Sequence, residues 1–211
     1  MIGHFKRALI LAPHTDDGEF GCGATIAKLI ESGCEVFYMA FSVCEQSVPY
    51  GFKEDILEEE LFNATKELGI PKENVIVHRY EVRRFPDKRQ EILQDIINVR
   101  HKIQPDLVFM PTTTDIHQDH QVISAEGLRA FKHTTILCYE MIWNNLSITT
   151  SAFVRLEEKH VAKKALALKC YKTQTFRKYA NDEFIYSLAR TRGVQIGADY
   201  AEAFHLLRYI V

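Results

Sequence analysis

The chain has 211 residues, 46% of them hydrophobic and 26% charged, and its 26 Lys and Arg against 28 Asp and Glu give a formal net charge of -2. That length suits one domain spanning residues 1–211, and the composition excludes a mainly disordered chain, a collagen-like repeat and a coiled coil. The near-neutral balance argues against a nucleic-acid binder held by phosphate charge.

Five cysteines, odd in number and without a CxxC pair, read as reduced thiols of a cytoplasmic protein. Cys34 and Cys138 lie inside apolar runs, where a small buried hydrophobe is expected. No segment is predicted to span a membrane. The early run from Ala8 to Pro13 follows Lys6 and Arg7, as an export signal would. It is too short for one and runs straight into His14, Asp16 and Asp17.

In chain order, Ala8 to Ala12 reads as a first strand, apolar on both faces. Ile26, Leu29 and Ile30 mark a helix over 21–30, stopped by Gly33, and Glu35 to Val43 reads as a second strand. Leu57, Leu61, Ala64 and Leu68 form a helical stripe ended by Gly69-Ile70-Pro71. Val75 to Val77 is a third strand. Ile92, Ile96, Val99 and Ile103 give a helix closed by Pro105, and Asp106 to Met110 a fourth strand. A helix starting near Val122 leads to a fifth strand, Thr135 to Tyr139. This alternation predicts an α/β fold, a mostly parallel sheet with helices on both faces. Beyond about residue 145 it gives way to a strand at 153–156, a helix at 157–171, a helix over 183–192 capped by Asn181, and a last strand at 203–211. That last strand is expected to be antiparallel and at a sheet edge. The loop from Gln46 to Lys53 sits where a lid could be.

Two polar clusters interrupt the pattern. Pro13-His14-Thr15-Asp16-Asp17 follows the first strand, and His117-Gln118-Asp119-His120 follows the fourth. Open α/β sheets bind ligands beyond the carboxyl ends of their strands, where the strand order reverses. Adjacent strands lie about 4.8 Å apart, so loops a hundred residues apart can converge there. His and carboxylate donors suit a borderline cation such as zinc, whose catalytic sites keep three protein ligands and one open position. Adjacent carboxylates point different ways, so one can bind metal while the other faces water. Either cluster alone reads equally well as a turn or a helix cap. The glycines of Gly21-Cys22-Gly23 come too late for a phosphate loop and lack the third glycine, Ile26 standing there; they suit a helix packed closely on a sheet.

PHTDDGEFGCGATIAKL and HQDH together resemble the two signatures of the LmbE-like, or PIG-L, family of metal-dependent de-N-acetylases. ARTRG and GADYAEAF are similar to the family's tail. The resemblance implies a Rossmann-like three-layer sandwich and zinc-assisted removal of an N-acetyl group from an N-acetylglucosamine-type sugar or its conjugate. Another divalent metal such as Fe2+ is the alternative ion. The resemblance makes His14, Asp17 and His120 the metal ligands, Asp16 the general base, His117 the oxyanion-stabilising residue and Asp119 the acid that tunes His117. An Asp119 carboxylate beside His117 is expected to favour the imidazolium and raise its pKa. FPDKR is similar to a substrate-contacting loop, which makes Arg84, Asp87 and Arg89 candidate substrate residues. Arg83, Arg84 and Arg89 could meet a phosphate or nucleotide on the substrate, or form a solvated loop. Thr15 stands where the family usually has Pro, and Gly18 where it commonly has Glu, with Glu19 next to it. Homo-oligomers are also within the family's range, with aromatics such as Trp143 at an interface. The competing readings are another metal-dependent amide or ester hydrolase, and a non-catalytic sugar-binding protein.

Overall fold

The computed structural model describes residues 4–210. One sheet carries seven strands: β1 (Arg7–Ala12), β2 (Glu35–Ala40), β3 (Val75–Val77), β4 (Leu107–Pro111), β5 (Thr135–Tyr139), β6 (Ala152–Leu156) and β7 (Tyr200–Arg208). Six α-helices accompany it: α1 (Asp17–Glu31), α2 (Ile56–Leu68), α3 (Arg89–Ile103), α4 (Gln118–Ala130), α5 (Glu158–Leu168) and α6 (Asp182–Val194). The strand order is β3-β2-β1-β4-β5-β7-β6. β1 to β5 run parallel, and β7 is antiparallel to both β5 and β6.

β1, β4 and β5 are buried almost throughout, which is why their sequences are unbroken apolar runs. The helices divide between the two faces. One apolar layer joins Ile26, Leu29, Leu61, Ala64 and Val161 to Ile10 and Phe109. The other joins Ile92, Ile96, Val122 and Ile123 to Leu9, Leu11 and Val108. Each such fully buried aliphatic side chain contributes about 1.5–3 kcal/mol. The chain leaves β1 for α1 and works outward to β3, then returns to β4 beside β1. The order reverses there, so the loops after β1 and β4 open side by side.

Several boundaries differ from the sequence expectation. α1 begins at Asp17 and α4 at Gln118, so each polar cluster sits at a helix N-terminus. β2 ends at Ala40, and α5 at Leu168. Gly69, at φ 95°, ends α2 as expected. β7 is antiparallel but lies inside the sheet; the edge is β6. Its expected end at Val211 falls outside the described residues. All five cysteines are free, and Cys34 and Cys138 are buried.

Candidate active site

The turn after β1 closes on itself, because the His14 amide donates to Asp17 Oδ2 at 2.8 Å. That oxygen also lies 3.2 Å from His14 Nδ1 and 3.2 Å from His120 Nε2. The two ring nitrogens are 3.3 Å apart. Three donor atoms from two loops thus form a nearly equilateral triangle. A tetrahedral zinc with bonds of 2.0–2.1 Å would need donors about 3.3–3.4 Å apart.

The outward nitrogens of both histidines are held by buried carboxylates. His14 Nε2 is 3.0 Å from Asp119 Oδ2, and His120 Nδ1 is 2.8 Å from Asp115 Oδ2. Such a carboxylate fixes the tautomer and turns the other nitrogen's lone pair inward, as metal-binding histidines require. Nothing in the sequence singled out Asp115. Its second oxygen accepts from the His117 amide at 2.8 Å, so it also sets the entry to α4.

His117 stands at the N-cap of α4, where its Nδ1 accepts from the Asp119 amide at 3.2 Å. An Nδ1 that accepts leaves the proton of the neutral ring on Nε2. The expected carboxylate contact from Asp119 is not made. Asp119 turns to His14 instead, and accepts from the amides of Arg83 at 2.6 Å and Phe85 at 3.4 Å. The expected upward shift is reversed as well. Burial, with the charges of His14 and His120, pushes the His117 pKa down to about 4 despite Asp119 and Asp17. His117 is therefore a neutral donor at neutral pH. His117 also belongs, with His14 and His120, to a group whose ring nitrogens lie within 4.8 Å of one another and could hold a metal.

Asp16 precedes α1 but caps nothing with its side chain. It faces a cleft of about 300 Å³ whose lining includes His14, Asp17, His117 and His120. Burial and the neighbouring Asp17 charge push its pKa up to about 6, while His14 and Arg177 pull the other way. Asp17 goes in the opposite direction: burial opposes ionisation, but His120 and His14 hold the carboxylate well below its usual range.

The opposite wall comes from loops with no periodic signal. Trp143 stacks on Tyr179 with ring centroids 3.6 Å apart, so it lines the cleft and does not project as an exposed aromatic. Arg192 of α6 grips Glu140 at 2.6 and 2.9 Å and pins the start of the Trp143 loop. Arg83 and Arg177 also line the cleft. Arg83 has φ 69°, an uncommon value for a residue other than glycine. The FPDKR residues do not line it: Arg84 pairs with Asp87 on the surface at 2.9 Å, and Arg89 turns to Glu126 at 2.8 Å. Ser47, from the loop expected to act as a lid, reaches the lining.

Gly18 and Gly21 explain how α1 meets the sheet. A Cβ on Gly18 would come 2.5 Å from the Tyr38 ring, and one on Gly21 2.3 Å from that of Tyr139. Glu19 does not reach the donor triangle. It is buried beside the Tyr38 and Tyr171 hydroxyls, both of which also contact the Thr15 carbonyl. Burial pushes the Glu19 pKa up to about 8 against those hydrogen bonds, so the group is mostly neutral at pH 7.

Residues 9–131 match the family described as PIG-L, GlcNAc-PI de-N-acetylase. The chain belongs to this family. Other likenesses extend over most of its length. It is 28% identical over 181 residues to the uncharacterized deacetylase YaiS of Escherichia coli, covering 80% of this chain and 91% of the relative. N,N'-diacetylchitobiose deacetylase of Pyrococcus horikoshii has the same fold, with a TM-score of 0.77 at 21% identity, covering 96% of this chain and 84% of that one. So does 4-carboxy-2-hydroxymuconate hydratase of Pseudomonas putida, with a TM-score of 0.79 at 20% identity and 98% coverage of both chains. The fold therefore serves more than one chemistry, and the activity of this PIG-L family member has to be argued from its site. Among the described residues, no helix is long and apolar enough to cross a membrane.

Proposed function

We propose that the protein is a zinc-dependent hydrolase that removes the N-acetyl group from an N-acetylglucosamine-type sugar or its conjugate. The observation that carries this reading is the triangle of His14 Nδ1, Asp17 Oδ2 and His120 Nε2, with sides of 3.2–3.3 Å, beside the uncapped carboxylate of Asp16. Those three atoms would hold the ion and leave one position open. Asp17 is preferred to His117 as third ligand because its oxygen is equidistant from the two histidine nitrogens, while His117 already accepts at Nδ1. When bound, zinc supplies a Lewis acid and lowers the pKa of a coordinated water toward about 7.

The protein's own groups account for the remaining steps. Asp16, with a pKa near 6, is ionised at neutral pH yet basic enough to take the proton of the attacking water. It then returns that proton to the leaving amine nitrogen. His117, neutral and protonated on Nε2, donates to the carbonyl oxygen as negative charge develops there. A neutral donor serves this role without having to be discharged above pH 7.

The cleft supports a sugar conjugate. The Trp143–Tyr179 stack offers a flat apolar wall to a pyranose ring. Arg83 and Arg177 have no carboxylate within salt-bridge distance among the described residues, which suits an anionic substituent such as a phosphate or nucleotide. The five free thiols fit a cytoplasmic setting.

The test is acetate release from a panel of N-acetylglucosamine conjugates by zinc-loaded protein, with Asp16→Asn and His120→Ala in parallel. Asp16→Asn should keep the metal and lose turnover; His120→Ala should lose the metal while remaining folded. Full activity in metal-free protein would end this reading. Turnover of an unsaturated acid without acetate release would favour the hydratase chemistry found on the same fold.

A further inference from the structure

α1 is two helices joined at a break. Cys22 has φ −147° and ψ 22°, which separates residues 17–21 from residues 23–31. A break leaves carbonyls without partners before it and amides without partners after it. Here one carbonyl before the break and two amides after it are met by one buried ion pair. Lys164 Nζ, from α5, donates to the Phe20 carbonyl at 2.6 Å. Glu202, from β7, accepts from the Ala24 amide at 3.2 Å and the Thr25 amide at 2.7 Å. Lys164 and Glu202 are themselves 2.7 Å apart.

The charges match the backbone they touch. A cation lies at the carbonyl end of the first segment and an anion at the amide end of the second, as the helix dipole favours. Both side chains are more than nine-tenths buried, each at 8% exposure. A buried ion pair gives no general stability advantage over apolar packing. The polar groups of the break give this one a specific use. Gly23 makes room for it, since a Cβ there would lie 3.1 Å from Lys164 Cγ. The second segment packs along α5, while the first carries Asp17 and lies against Tyr38 and Tyr139.

We propose that Lys164 and Glu202 are positioning residues: they hold α1 broken at Cys22 and so aim the segment bearing Asp17 at His14 and His120. This rests on the reading of Asp17 as a metal ligand. It also gives a role to the GADYAEAF segment, through Glu202.

Two variants test it, Glu202→Asp and the double variant Lys164→Met with Glu202→Gln. The first keeps the charge but draws the carboxylate back. The second removes both charges together, so that no unpaired charge is left buried. Zinc affinity is measured by chelator competition, and hydrogen exchange is followed at the Gly18 and Phe20 amides, which are bonded to Tyr38 Oη and the Asp16 carbonyl. The expected result is zinc binding weakened about 10- to 100-fold, with faster exchange at those two amides and unchanged exchange in β1. A folded variant with wild-type zinc affinity and wild-type exchange overturns the proposal. Glu202→Asp alone decides if the double variant does not fold. A wild type that binds no zinc overturns the ligand reading and this proposal with it. A wild type that binds zinc but releases no acetate, with the variants shifted as expected, overturns only the deacetylase reading.

Discussion

Asp115 gives the sharpest test of the site. It is 1% exposed, with one carboxylate oxygen 2.8 Å from His120 Nδ1 and the other 2.8 Å from the His117 amide. Asparagine has one acceptor where two are needed. If its oxygen stays on the His117 amide, its NH2 faces His120 Nδ1. The His120 proton then moves to Nε2, the atom that faces Asp17 and His14. If the oxygen turns to His120, the NH2 opposes a buried N–H. A hydrogen bond to a charged group contributes about 1.5–3 kcal/mol, and 1.4 kcal/mol is tenfold. The two give about 10- to 150-fold, which agrees with the 10- to 100-fold typical of residues behind a metal ligand. Asp115→Asn should therefore raise the zinc dissociation constant by one to two decades, measured by chelator competition at neutral pH. An unchanged constant in a folded variant would show that His120 does not depend on Asp115 for its tautomer, and the proposed ligand geometry would fall with it.

Other expectations follow from the same groups. In metal-free protein, burial opposes charge on His120, but Asp17 and Asp115 push its pKa up to about 10. A raised folded-state pKa stabilises fully below the unfolded value of about 6.5, and that stability is lost as pH rises toward 10. The Tm of metal-free protein should thus fall from pH 7 to 10, while zinc affinity rises because binding displaces the proton; parallel trends would contradict this. Glu19, with a pKa near 8, binds a proton in the folded state that the unfolded chain releases near 4.5, so wild-type stability falls between those values. Glu19→Gln should flatten that part of the curve in pH-dependent denaturation. Gly21→Ala would drive a Cβ into the Tyr139 ring and should cost about 1–3 kcal/mol in urea unfolding. Trp143→Ala should raise KM by about 2- to 12-fold, the equivalent of an aromatic contact of 0.5–1.5 kcal/mol, with kcat nearly unchanged.

The strands and most helices were legible because their apolar spacing is set by local geometry. The convergence of the two polar clusters was legible too, since each follows a strand and β1 neighbours β4; the choice of His14, Asp17 and His120 within them rested on the family resemblance. Asp115 was not: an aspartate after three threonines looks like any turn, and only the fold puts it behind His120. The pairing of Asp119 with His117 rested on the family resemblance, which does not fix where the carboxylate points. From the first turn of α4 its carboxylate points to His14 and the 83–85 loop, and only its amide meets His117. Trp143, Arg177 and Tyr179 lie in irregular segments, where no period signals which side faces inward. The place of β7 in the sheet was hidden for a related reason: alternation identifies a strand but not its neighbours.

That place has a consequence for how the protein is made. β7 fills the gap between β5 and β6, so neither strand has its full set of partners until residues 200–208 leave the ribosome. Until then the β5 edge is open, a ready template for pairing with another chain. Lys164 still lacks its counter-charge at that stage, and the Ala24 and Thr25 amides still lack Glu202. Every donor of the candidate metal site has been synthesised long before this moment, yet the sheet and the α1 break that hold them are completed by one late strand. Nascent chains stalled before residue 200 should therefore be aggregation-prone and dependent on chaperones, and metal capture should follow the docking of β7, not the appearance of the ligands.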